Sequence, residues 1–284
     1  MNLPAQYQRA VSDVLETGAR LAARNALVFL RITALLTLPI GVLFGAAVVW
    51  LENSSGSRHP AIGTLVAVSV LYALAIIVAG AACLKVAAEA YNDAKPSARA
   101  AIELVARRLG PVVGLATLLV VGVAPAIAVL VLPGVIAVGN YALLLLGLAL
   151  VSLWFSGAFA AALPAMLVEK KGIGDSLRRS AQLVRGGFFR ALGTVLLGGI
   201  LALFAGVLVA ILVSVASYGV GNVLLIVALA GIALGELFVA PLFVSFLVVL
   251  YFDLRVREQA RASSRRAGEQ APASIRRVRK RADK

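Results

Sequence analysis

Cysteine, histidine and acidic residues are scarce in these 284 residues: one cysteine, one histidine, and 13 acids against 27 lysines and arginines. A lone Cys83 excludes an internal disulfide and any CxxC redox or zinc motif. The single histidine, His59, stands beside Pro60 with only Glu52 near it, and reads as a surface residue. No H-E-x-x-H or related spacing exists, so neither a metal nor another cofactor is expected. A phosphate-cradling G-x-x-x-x-G-K-[ST] is missing, as is a G-x-S-x-G nucleophile turn. Charge is thin as well. Charged residues make up 14% of the chain, where a soluble domain carries about 25%. The ten-residue alternating segments of a membrane β-barrel are also missing. The chain is expected to be neither soluble nor an enzyme.

What remains is apolar. Hydrophobic residues are 61% of the sequence and gather into six stretches near 26–50, 61–88, 110–132, 140–168, 191–216 and 221–252. A span needs about 20 mostly apolar residues, and in lipid its backbone must be paired internally, so each stretch is expected to be a helix. The cations set the orientation. Gaps around 85–110 and 169–190 and both chain ends are basic, whereas gaps around 51–60, 133–139 and 217–221 hold only Arg58 as a cation. Short cytoplasmic loops retain Lys and Arg. The pattern predicts an all-α, six-pass protein of the bacterial inner membrane with both termini in the cytoplasm. Arginine outnumbers lysine 21 to 6, which points to a GC-rich bacterial source. A cleavable signal peptide is not expected, because Asp13 and Glu16 precede a first apolar run long enough to span.

Residues 5–25 place Val11, Val14, Leu15 and Leu21 at helical spacing among Arg9, Asp13, Glu16, Arg20 and Arg24, the pattern of an amphipathic helix lying in the cytoplasmic interface. The same design returns at 96–109 and at 175–189, where Asp175 or Ser176 is a candidate cap. Shifted by 79 positions, Ser97, Arg99, Leu104, Val105 and Gly114 fall on Ser176, Arg178, Leu183, Val184 and Gly193. Three two-helix units, about 1–90, 91–170 and 171–253, each led by an interfacial helix, would make a six-helix membrane domain over 1–253. Chance alignment of Ala/Leu/Arg-rich segments is the competing account. Pro39, Pro125, Pro164 and Pro241 fall inside spans, Gly198 and Gly199 suit close helix packing, and Trp50, Tyr141 and Tyr251 suit the interface belts, with Trp154 packed deeper. Residues 254–284 carry eleven bases against three acids and read as a short helical extension and a largely disordered cytoplasmic tail. Its bases suit anionic headgroups. Without aromatics for base stacking, nucleic acid is not an expected partner.

Two sets of residues stand out as candidate sites. Glu236 is the only acid inside a predicted membrane core, about 24 Å from the cytoplasmic end of its helix. Arg31 sits far shallower and snorkels instead of pairing with it. Tyr72, Ser152 and Glu236 each lie seventeen positions before a terminal acid, so in equivalent helices they share one depth. Such a cluster is either a proton or cation relay or a polar staple between helices. The terminal acids Glu89, Glu169 and Asp253 form the second set, together with Arg178, Arg179, Arg255 and Arg257. All lie at the cytoplasmic mouth, where ion pairs would lock a ring.

Two strings are more specific than hydropathy. One runs from Leu163 and Pro164 to Glu169, then Ser176, Leu177, Arg178, Arg179, Ser180 and on to Phe188, Phe189, Arg190. The other is Pro241 followed by Leu250, Tyr251, Phe252, Asp253, Leu254, Arg255, Val256, Arg257, Glu258. Together they resemble the membrane domain attached to some bacterial glycerophosphodiester phosphodiesterases and its free-standing relatives. Gln259, Ala260 and Arg261 depart from the glycine-containing stretch that usually follows. The catalytic barrel of the fused proteins has no counterpart here, so the resemblance implies a membrane protein without the phosphodiesterase activity. A structural module that binds lipid or a membrane or cytoplasmic protein partner is the leading expectation. The alternative is a small-solute or ion transporter using Glu236.

Overall fold

Helix is the only regular structure among the described residues of the computed structural model, which are 10–53, 59–130, 154–216 and 223–270. In chain order the helices are α1 (Val11–Arg24), α2 (Ala26–Asn53), α3 (His59–Tyr91), α4 (Ala98–Arg107), α5 (Leu109–Leu130), α6 (Ala162–Val168), α7 (Ile173–Val184), α8 (Phe188–Ala216) and α9 (Val223–Gln270). Three stretches, Ala26–Ala47, Gly63–Tyr91 and Leu237–Ser264, are long and apolar enough to cross a bilayer, by length and composition. The pair α7 and α8 adds a fourth if it is one span broken by a 105° bend. Of the six expected stretches, the third and fourth run into 131–153, outside the described residues. A helical segment at 154–159 is interrupted at 160 and 161 before α6 begins.

The three short helices α1, α4 and α7 each bury one side. Val14 and Gly18 are buried on α1, Ala101 and Val105 on α4, and Ser176, Ser180, Leu183 and Val184 on α7. Glu16 and Arg20 pair across one exposed turn of α1, and Arg107 donates to Glu103 on α4. Ser97 caps α4, its Oγ accepting from the Ala100 amide at 3.4 Å. The expected cap on α7 fails. That helix starts earlier, at Ile173, with Gly172 as its capping residue, so Ser176 already lies inside and donates to the Gly172 carbonyl.

Helix α9 is the centre of the bundle. It packs most extensively on α8 and also touches α1, α2, α3, α6 and α7. In its most apolar stretch 61% of residues are buried, against 22% for α2 and for α3. The 48 residues of α9 measure about 72 Å at the helical rise, more than twice the hydrocarbon core of roughly 30 Å. Past Asp253, where a short helical extension was expected, helix continues to Gln270. Arg, Glu, Gln and Ala sustain it there through their helix propensity.

Phe246 locks α9 to its neighbours. Its ring is 1% exposed and lies between Gly18 on α1 and Gly198 on α8. A methyl group on Gly18 would come within 2.5 Å of Phe246 Cδ1 and 3.2 Å of its Cα, and one on Gly198 within 2.7 Å of Cδ2. Gly198 thus permits close packing, whereas Gly199 has only ordinary clearance to Phe243 at 3.8 Å. Away from this core, Leu196, Leu197, Ile200, Leu201 and Phe204 are exposed along one side of α8, and Leu35, Val42 and Leu43 along α2. Stripes of that extent are rare on soluble proteins and suit contact with lipid.

Gly18→Ala and Gly198→Ala should each destabilise the detergent-solubilised chain by about 1–3 kcal/mol, the cost of overpacking a core. In a Phe246→Leu background the Gly198→Ala loss should largely disappear, while Gly18→Ala should persist because its methyl also meets backbone. Thermal unfolding of both glycine variants in each background, with Phe246→Leu alone as reference, checks this; an equal Gly198→Ala loss in the two backgrounds would refute it.

Candidate functional site

The polar end of the bundle is built where apolar helices stop. Glu169 ends α6 as its C-cap. Lys170 follows with a positive φ of 55°, a left-handed turn uncommon for a side chain without a short polar group. This turn folds the chain back, so that Lys171 Nζ reaches Glu169 Oε2 at 2.7 Å. Glu169 Oε1 accepts from the Tyr251 hydroxyl at 2.6 Å and from Arg179 Nε at 3.3 Å. Arg179 in turn grips Glu258 with both terminal nitrogens, at 2.7 and 2.6 Å. Such bidentate forks are directional as well as strong. Tyr251 and Glu258 lie seven residues apart, two helical turns, and so share one side of α9.

Asp253 serves the other side. Two residues from Tyr251, it is rotated by roughly 200° around the helix. It is 6% exposed and meets Arg257 Nε at 2.9 Å and Arg190 Nε, from α8, at 3.0 Å. The Arg190 contact is close but not aligned as a hydrogen bond, which leaves that nitrogen and the buried Thr194 hydroxyl without hydrogen-bond partners among the described residues. Arg190 also donates to the Ala10 carbonyl at the start of α1, at 3.3 Å. One turn beyond Arg257, Arg261 donates to the Gly186 carbonyl at 2.5 Å. Helix α9 is thus held by α6 and α7 on one side and by α1 and α8 on the other.

The expected ring is only partly assembled in this form. Glu169 joins Arg179, and Asp253 joins Arg257, but the two carboxylates belong to separate clusters. Glu89 pairs with Lys85 at 3.1 Å within its own helix, so α3 docks by another contact, the stacking of Tyr91 on Phe252 at 4.6 Å. Arg178 is exposed and Arg255 half-buried. Tyr251 corrects the belt expectation: it is fully buried, because its hydroxyl is committed to Glu169. Trp154 corrects the expectation of packing: it is 56% exposed, and its ring lies 6.3 Å from Phe188, two residues from Arg190. Lys171, Arg190, Glu258 and Tyr251 were not among the expected ring residues. The signal for two of them was the seven-residue spacing of Tyr251 and Glu258 on one helical side.

Of the expected midplane cluster only the Tyr72 side chain lies among the described ones. Tyr72 is half-buried and stacks on Phe44 at 5.5 Å. Ser152 lies outside the described residues, and Glu236 is placed in α9 by its backbone alone. Among the described residues, no three His, Cys, Asp or Glu side chains gather as a metal site would need.

Partial burial raises the pKa of the Glu169 carboxyl, but hydrogen bonds from Lys171, Tyr251 and Arg179 and the Arg179 charge outweigh it and lower the value from 4.5 to about 2. A depressed carboxylate pKa stabilises the fold above the unfolded value and loses that contribution as pH falls through the folded one. The stability difference between wild type and Glu169→Gln should therefore be constant above pH 4.5 and shrink as pH falls toward about 2. Unfolding measured across that window checks it; a difference that grows on acidification would contradict the pairing.

Among curated proteins and among solved structures, nothing matches the chain. A family model does: the membrane domain of glycerophosphoryl diester phosphodiesterase matches residues 135–281, just over half of the chain. Both specific strings fall inside the match. In the structure they meet each other, through Glu169 with Tyr251, Arg179 with Glu258 and Arg190 with Asp253. The chain belongs to the family of the membrane domain of glycerophosphoryl diester phosphodiesterase.

Proposed function

We propose that the chain is a six-pass module of the bacterial inner membrane, with both termini in the cytoplasm, that acts by holding structure and binding lipid or a protein partner, not by catalysis. The observation that carries this reading is the double grip on α9. Its apolar length is clamped among helices whose outer sides are apolar, and its charged end is fixed by Glu169 at the end of α6, Arg179 of α7 and Arg190 of α8. That arrangement builds a rigid platform at one bilayer surface. It spends its buried charges on each other, leaving Glu169, Arg179, Asp253 and Arg190 engaged in holding helices together.

The basic gaps support the cytoplasmic side for this platform, and the anionic headgroups of that leaflet are its first partner. Short helices at 11–24, 98–107 and 173–184, each followed within a few residues by a long apolar helix, support three two-helix units. The match to a membrane domain, as opposed to a catalytic one, supports a non-enzymatic role, as does the lack of a nucleophile–base pair in the sequence. The same platform suits a protein partner along the continuation of α9, where Gln259 and 261–263 are exposed.

Reporter fusions test the topology. Fusions after residues 94, 171 and 270 should report the cytoplasm, and fusions after 55, 136 and 219 the opposite side. A cytoplasmic signal at 136 or 219 would remove two of the six spans and with them the three-unit reading.

A further inference from the structure

The corner where α7 turns through 105° into α8 carries two features that the platform does not use. The first is uncompensated charge. Arg179, Arg190 and Arg257 all face carboxylates, but Arg185 and Arg261 form no ion pair among the described residues. Both are exposed. Arg261 is held in place by donating to the Gly186 carbonyl, and its guanidinium lies so close over Gly186 that a Cβ there would fall 1.6 Å from Nη1. It therefore sits beside Arg185 by construction, using a residue that has no side chain to displace it.

The second feature is an aromatic shelf that begins at Phe188, two residues after Gly186. Trp154, Phe188 and Phe189 follow one another with ring centroids 6.3 and 5.7 Å apart. Phe189 is 84% exposed, more than any other large apolar side chain described, and Trp154 is 56% exposed. Tryptophan and phenylalanine next to arginines mark the level where acyl chains meet headgroups. Two exposed guanidiniums, one of them held on Gly186, beside an open aromatic surface complement a molecule with an anionic phosphate at one end and hydrocarbon at the other.

We propose that this corner, formed by Arg185, Gly186 and Arg261 over Trp154, Phe188 and Phe189, is a binding site for the phosphate headgroup of an anionic phospholipid. The site rests on the reading that this end of the bundle lies at a bilayer surface. It goes beyond general attraction of basic residues to the leaflet, because Gly186 positions one of the two cations. The phosphodiester takes the guanidinium donors, and the upper acyl chain lies on Phe189 and Trp154.

The full-length chain carrying Trp50→Phe has Trp154 as its only tryptophan and reports directly from the site. In uncharged detergent, brominated phosphatidylglycerol should quench Trp154 at lower concentration than brominated phosphatidylcholine. At about fivefold per lost charge, Arg185→Gln should weaken the anionic lipid about fivefold, and Arg185→Gln with Arg261→Gln roughly twenty-five-fold. Gly186→Ala keeps every charge and displaces only Arg261, so it should weaken binding about as much as Arg261→Gln. Quenching that is equal for the two lipids, or unaffected by Arg185→Gln, would overturn the site. An unchanged affinity in Gly186→Ala would reduce it to diffuse charge and overturn it too. Inorganic phosphate that displaces the lipid at low millimolar concentration, equally in wild type and Phe189→Ala, would make a free anion the ligand and reject the phospholipid. A reporter after Gln270 on the wrong side would instead overturn the topology while leaving the quenching result standing.

Discussion

Two carboxylates placed where apolar helices end constrain the whole structure. Glu169 and Asp253 are mostly shielded from water, and a shielded charge left without a partner costs about 3–5 kcal/mol. Each must therefore find cations: one lies close in sequence, Lys171 for Glu169 and Arg257 for Asp253, and a second comes from another helix. Glu169 draws in Arg179 from α7 and the Tyr251 hydroxyl from α9; Asp253 draws in Arg190 from α8. Because Tyr251 and Asp253 point to opposite sides of one helix, satisfying both acids fixes α9 in rotation and in depth. A sliding or turning α9 would break both clusters together.

Packing reinforces the same placement. Phe246 lies about two helical turns from Asp253 on the side facing α1 and α8, where Gly18 and Gly198 leave room for its ring. The apolar contacts set how closely the helices approach, and the ionic contacts set their registration. Division of labour of this kind follows from the solvent: between lipid-facing helices apolar burial discriminates poorly, so shape and polar pairing carry the specificity. It also accounts for the local concentration of charge. Arginines that are neutralised hold the bundle, while Arg185 and Arg261 are exposed and form no ion pair among the described residues.

Much of this was legible from sequence, in a particular order. The apolar runs showed where α2, α3 and α9 lie, and the spacing of Val11, Val14 and Leu21 showed where a short helix precedes them. The terminal acids were recognisable as a set. Their partners were not, because Arg179 and Glu258 are 79 residues apart and nothing local links them. Glu89 looked equivalent to Glu169, yet Lys85 one turn away satisfied it within its own helix. Tyr251 looked like an interface aromatic, since sequence position does not reveal that a carboxylate waits opposite its hydroxyl. Trp154 looked packed by its place in an apolar run, but a run does not show which of its faces stays open, and this one is 56% exposed. Glycine gave the opposite lesson: Gly198 was readable as a packing residue, but the ring it accommodates was not.

The central claim is that ion pairing between α8 and α9 holds the last helix in place. A double-mutant cycle on Arg190 and Asp253, read by unfolding of the full-length chain in detergent, tests it most directly. Arg190→Gln and Asp253→Asn should each destabilise the protein, and the double variant should lose less than the two combined, with a coupling of about 0.5–3 kcal/mol. Strictly additive losses would mean that the two side chains act independently, and would contradict the account of how α9 is held.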